Sequence, residues 1–201
     1  MTTIETTPTT PSTPTAATNP SVDPVSVPPA VAIDLYRDIH KGIRAELFGT
    51  TLQAGDLDPS DRAARVALAG RVDALVNLLH THAEHEDTHV QPAIEKVLPD
   101  AAARIVGDHD LLDRRIGDIH EMSVAFGATA GAQLRSVGQE LYLELASFTS
   151  AYLEHQNLEE RVVMPALAGA LGPEAVLGIH VAIISSIPPA DMAASLAIMI
   201  P

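Results

Sequence analysis

His82-Ala83-Glu84-His85-Glu86 and His155-Gln156-Asn157-Leu158-Glu159 carry one pattern twice, a histidine followed four residues later by a glutamate. A proline follows each glutamate at the same distance, Pro92 and Pro165, so His-x3-Glu-x5-Pro is duplicated. In an α-helix a four-residue step puts two side chains on one face, one turn apart. Each copy therefore aims an imidazole and a carboxylate at one point. The first copy continues a seam of Ala64, Leu68, Val72, Leu75, Leu79, His82, Glu86 and Val90. The second continues Leu134, Leu141, Leu145, Phe148 and Tyr152 through His155 and Glu159 to Val162 and Ala166. Steps of three and four are the signature of an inward helix face. A carboxylate on such a face is costly to bury unless it is paired or bound to a cation.

Working outward, two more helical stripes each bring one inward histidine. Tyr36, His40, Ile43 and Leu47 share a face of a helix expected over 31–48, and Ile105, His109, Leu112, Ile116 and Ile119 share a face of one restarted by Pro99-Asp100. Residues 49–57 read as a loop, Asp58-Pro59 as the N-cap and first position of the second helix, and 127–131 as a short turn. Short connections predict an all-α, up-down-up-down four-helix bundle. At a rise of ~1.5 Å per residue, His40 and His109 near helix starts fall level with Glu86 and Glu159 near helix ends. His40, His82, Glu86, His109, His155 and Glu159 thus form a candidate cage for two metal ions. Neutral imidazoles and carboxylates suit iron, manganese or zinc. The glutamates can bridge two ions and leave positions open for water or a small diatomic ligand.

Other polar residues near the stripes divide into two groups. His85 is the reserve for His82 in a shifted register, whereas His80 and His89 read as a solvated face, and Glu84, Asp87 and Glu160 read as solvent charges. Tyr36 and Tyr152, each a turn from a candidate ligand, are either structural or donors into the site. Asp113, a turn after His109, is either a surface aspartate, a seventh ligand or an acceptor for a histidine N–H. The catalytic residues, if any, are not readable.

Composition narrows the function classes. With 26 acidic against 12 basic side chains the net charge is −14, which opposes nucleic acid and anionic membrane surfaces as partners. There is no cysteine, so any metal is held by nitrogen and oxygen. Residues 1–30 contain seven of the fifteen prolines and nine threonines, and are expected to be a disordered tail. They lack the basic start and apolar run of a secretory signal, which favours a cytoplasmic location. Residues 172–201 form an apolar extension, expected as two short helices packed on the bundle, on another copy or on a protein partner. Pro188, Pro189 and Asp191 interrupt it before the ~20 apolar residues of a membrane span are reached. Its abrupt end at Pro201, without a polar cap, reads as a chain cut short.

Over about residues 33–170 the chain resembles the hemerythrin-like, or HHE cation-binding, family, and its bacterial members in particular. The resemblance rests on His40, on His82-x3-Glu86-x5-Pro92, on Asp108-His109-Asp110, and on His155-x3-Glu159 with Met164-Pro165. It implies a non-haem di-iron centre, oxo- or hydroxo-bridged, with the six residues as iron ligands. Oxygen-carrying members have a second histidine where Asp113 stands and an aspartate where Glu160 stands, so the pattern here is similar instead to members linked to iron or oxygen sensing, nitric oxide and peroxide. The implied function is binding and reaction of O2, NO or H2O2. The competing expectations are a catalase-like enzyme that dismutates peroxide, and a sensor without turnover.

Overall fold

The Asp34 carboxylate accepts the backbone N–H of Tyr36 at 3.1 Å and of Arg37 at 3.0 Å, a local turn that starts helix α1 (Arg37–Asp56). The computed structural model describes residues 31–190 and 192–199, so the tail at 1–30 lies outside the described residues. Helix α1 begins later than its apolar pattern and runs through the expected loop at 49–57. Arg71 of helix α2 (Arg62–His85) explains the extension, because its guanidinium bonds both Glu46 and Gln53 and holds the added turns against the next helix. The start of α2 also differs from expectation. Asp61, not Asp58, is the N-cap, accepting from the Ala64 N–H at 3.1 Å, while Asp58 folds onto Ser60 in the preceding turn.

Helices α3 (Gln91–Val97) and α4 (Pro99–Ala128) follow; Leu98 breaks the run between them, and Pro99 opens α4, where the missing N–H costs nothing. A 3-10 turn opened by Gly131 leads into α5 (Leu134–Leu158) and α6 (Met164–Ser186). The last described helix is α7 (Met192–Met199). Helix α1 adjoins α2 and α5, and α4 adjoins the same two, closing an up-down-up-down four-helix bundle that is all-helical among the described residues. At the end away from the duplicated motif, Arg65 is buried and donates to the carbonyls of Pro59, Phe126 and Thr129. One side chain thereby ties two loops together.

Both copies of the motif end in a π-helical turn, Glu86–Val90 and Glu159–Val163. In each, the residue before the proline donates to the glutamate carbonyl five residues back, Gln91 to Glu86 and Met164 to Glu159. Proline cannot donate, and its ring collides with the carbonyl four residues earlier, so a widened turn relieves the collision. Val163 and Leu167 are buried, where Val162 and Ala166 were expected inward; Val163 stands four residues after Glu159 as Val90 does after Glu86.

Gly172, at φ +75°, breaks α6 into two helical pieces, and Pro173 starts the second. By length and composition one helical run ending at Ser186 is apolar enough to cross a membrane, with a mean hydropathy of 1.7 and 11% of that window buried. That run is divided at Gly172, and the part of the extension from Pro173 to Ser186 stays short of the ~20 residues of a span. Helix α7 lies on α1, where a Cβ on Gly42 would collide with the Ile198 carbonyl. Only glycine permits that approach.

Buried apolar residues form two clusters. One contains Ile43, Leu68, Val72, Ile116, Leu145 and Phe148; the other contains Tyr36, Val90, Ile105, Val163, Met164 and Leu167. The duplicated His and Glu residues interrupt the seams between them.

Candidate metal centre

Four elements each bring their polar residues to one layer. His40 and Glu159 are fully buried, and His82, Glu86 and His155 nearly so. His109 is the most open of the six, with its side chain 11% exposed. Their reactive atoms converge in two groups. In the first, the Nε2 atoms of His40 and His82 stand 3.2 Å apart, and Glu86 Oε1 lies 3.8 and 3.2 Å from them. In the second, the Nε2 atoms of His109 and His155 are also 3.2 Å apart, with Glu86 Oε2 3.4 Å from His109. Glu159 repeats this division in reverse, its Oε1 3.4 Å from His155 and its Oε2 3.5 Å from His40. Each carboxylate spans both groups.

The outer ring nitrogens fix the orientation. His40 Nδ1 lies 3.0 Å from Glu160 Oε1, and the same oxygen accepts from Arg44 at 2.7 Å. His109 Nδ1 lies 2.9 Å from Asp87 Oδ1. A carboxylate at Nδ1 holds the proton there and leaves the Nε2 lone pair for the interior. Asp87 and Glu160 are therefore not the solvent charges that helix geometry implied. Each directly follows a central glutamate and reaches across to the opposite hairpin, a relation that the parallel dipeptides Glu86-Asp87 and Glu159-Glu160 carry in the sequence. Asp108 Oδ2 is 3.7 Å from His155 Nδ1, within ion-pair range but too far for a hydrogen bond.

Electrostatics show how unsuited the cluster is to standing alone. Burial raises the Glu86 carboxyl, but His82, His109 and His40 outweigh it and hold it well below the usual range. Burial and the neighbouring Glu86 push Glu159 far up. Burial drives His82 down to about 3, so it stays a neutral donor. Burial also opposes charge on His40 and His109, yet Glu160 and Glu86 raise the first, and Glu86 and Asp87 the second. All four carboxylate oxygens of Glu86 and Glu159 are buried without a hydrogen-bond partner. Orphaned anionic oxygens facing paired imidazole nitrogens are a donor set that fits divalent or trivalent cations. Two sets of these side chains could each hold an ion, Glu86 with His109, His155 and Glu159, and His40 with His82 and Glu86.

The remaining candidates separate clearly. The Tyr36 ring packs 5.1 Å from that of His40, and its buried hydroxyl has no partner. Burial, then Glu159 and Glu86, raise its pKa well above the usual phenol value. Tyr152 lies 5.8 Å from the His155 ring and is raised by burial, Glu86 and Glu159. Asp113 does not serve a candidate ligand: its exposed carboxylate pairs with His80 Nε2 at 2.7 Å. The helix carries it past the site, toward the surface of α2. His85 is partly buried beside His89 rather than among the six.

A family model described as the Hemerythrin HHE cation binding domain matches residues 31–168. Searches of curated proteins and of solved structures returned no significant match. The match covers most of the chain and every residue of the convergent cluster, and on that ground the protein belongs to the hemerythrin HHE cation-binding domain family.

Proposed function

We propose that His40, His82, Glu86, His109, His155 and Glu159 hold two iron ions and that the protein binds and reacts with a small oxidant, O2, NO or H2O2. The observation that carries this reading is the position of each glutamate, with one oxygen against either histidine pair. Iron, when bound, supplies the electrons exchanged with the oxidant. The chain supplies the rest. Glu86 and Glu159 offset the cationic charge where water is excluded, and Glu160 and Asp87 orient the imidazoles. Tyr36 keeps its proton because burial and both glutamates disfavour phenolate, so it offers an O–H donor beside the cluster.

Peroxide dismutation is a second reading, favoured by that buried and unpartnered phenol. Metal analysis with an optical spectrum tests the first claim. About two irons per chain with oxo-bridged charge-transfer bands support it, and zinc or manganese in their place overturns the iron assignment. Adding peroxide to the iron-loaded protein then separates activities. Sustained oxygen evolution identifies an enzyme, whereas one stoichiometric spectral change identifies a binding or sensing protein.

A further inference from the structure

Beside the His40–His82 pair lies a cavity of about 100 Å³ that the six-residue cluster does not account for. Tyr36, His82 and Glu86 line one part of it. Across from the bundle residues, Ile183, Ile184, Ile187 and Ile198 line it from the C-terminal extension. Those isoleucines lie beyond residues 31–168, so the matched domain alone does not make this wall. The close seat of α7 on α1 at Gly42 fixes Ile198 there. A single water needs only ~10–15 Å³ of such space and several polar partners, whereas a dry cavity of ~150 Å³ takes benzene. The space here suits about three or four carbon atoms. Its walls are aliphatic over the larger part, with Thr81, His85 and His180 also on the lining, and the Tyr36 hydroxyl is a buried donor without an acceptor. A largely apolar pocket with a few convergent polar groups is the usual form of a small-molecule site.

We propose that this cavity binds a short alkyl molecule with a terminal oxygen, of the alkyl hydroperoxide and alcohol class, and that the extension sets its size. The alkyl group lies against the isoleucines, and the oxygen accepts from Tyr36. This assignment rests on the oxidant-binding reading and narrows it. Hydrogen peroxide has no apolar body to gain from the isoleucine wall.

The test uses tert-butanol, the redox-inert counterpart of tert-butyl hydroperoxide, on the full chain in metal-free and zinc-loaded forms. Methyl NMR of the isoleucines follows binding without any turnover. Saturable shifts at Ile183, Ile184 and Ile187, absent with glycerol, support the proposal. Tyr36→Phe keeps the ring and should weaken binding about three- to tenfold, the loss expected for one hydrogen bond. Ile184→Trp should fill the space and abolish saturation. Non-saturating shifts in the wild type, or unchanged affinity in Tyr36→Phe, overturn it. Iron content of the protein as purified keeps the two ideas apart: about two irons per chain without saturable alcohol binding sinks the cavity assignment, and saturable binding in a chain purified without iron sinks the iron assignment alone.

Discussion

The two hairpins of the bundle carry one motif and treat it differently. On the α4–α5 side His109 and His155 join both glutamates in a four-residue set, and cavities of about 30 Å³ beside His109 and about 130 Å³ beside His155 adjoin it. On the α1–α2 side His40 and His82 form a three-residue set with Glu86, and a cavity of about 100 Å³ opens beside them. His40 is backed by a carboxylate that Arg44 also holds, whereas His109 is backed by Asp87, whose side chain is 54% exposed. Duplication thus sets the cage, and divergence around it gives the two sides different walls, with Arg104, Asp108 and Glu154 beside His155 and isoleucines of the C-terminal extension beside His82. An apolar exogenous ligand is expected at the His40–His82 side.

Substitutions at the shared residues should erase the comparison altogether. Glu86→Ala or His155→Ala is expected to lose at least one ion per chain by elemental analysis, and His80→Ala to lose none. Equal losses from all three would show that the register is wrong. A smaller effect should expose the asymmetry. Glu160→Ala is expected to lower metal affinity roughly 10- to 100-fold, as removal of a carboxylate behind a metal-binding histidine does. Asp87→Ala should cost less, since its partner bond is more solvated. Chelator competition measures both, and a larger loss from Asp87→Ala would reverse the ranking of the two sides.

The smallest effect concerns acid stability of the metal-free chain. Burial raises the Glu160 carboxyl, but His40 and Arg44 prevail and bring it to about 2 from the ordinary glutamate value of 4.5. A depressed folded-state pKa stabilises the fold above the unfolded value and is lost as pH falls through the folded one. Wild type should therefore lose part of its urea resistance between about pH 4.5 and 2. Glu160→Gln should flatten that part of the profile. An identical acid slope in the two proteins would remove Glu160 from the account.

Much of this was legible because charge interrupted an apolar rhythm. His82, Glu86, His155 and Glu159 stood out as polar residues on seams otherwise made of leucine, valine and phenylalanine. His40 and His109 were legible for the same reason, and the structure brings all six together. Asp87 and Glu160 were not, because one residue past an inward glutamate is about 100° around a regular helix, and their partners belong to the other hairpin. The π-turns were hidden too, although the repeated prolines that require them were in view. Residues 49–56 were misread because Gly49 and two threonines have weak helix propensity, and only Arg71 from the next helix keeps them wound. The contact of Ile198 with Gly42 links residues far apart in sequence and leaves no periodic trace.

The clasp at Arg65 has a consequence for how the molecule loosens. It lashes the loops at the far end with three carbonyl bonds that require no cation, while the opposite end buries glutamate oxygens that have no hydrogen-bond partner. Stripped of metal, the bundle should behave like a closed umbrella, gathered at the handle and free to spread at the ribs. Local opening would then begin where the ions belong, giving an incoming ion its way in.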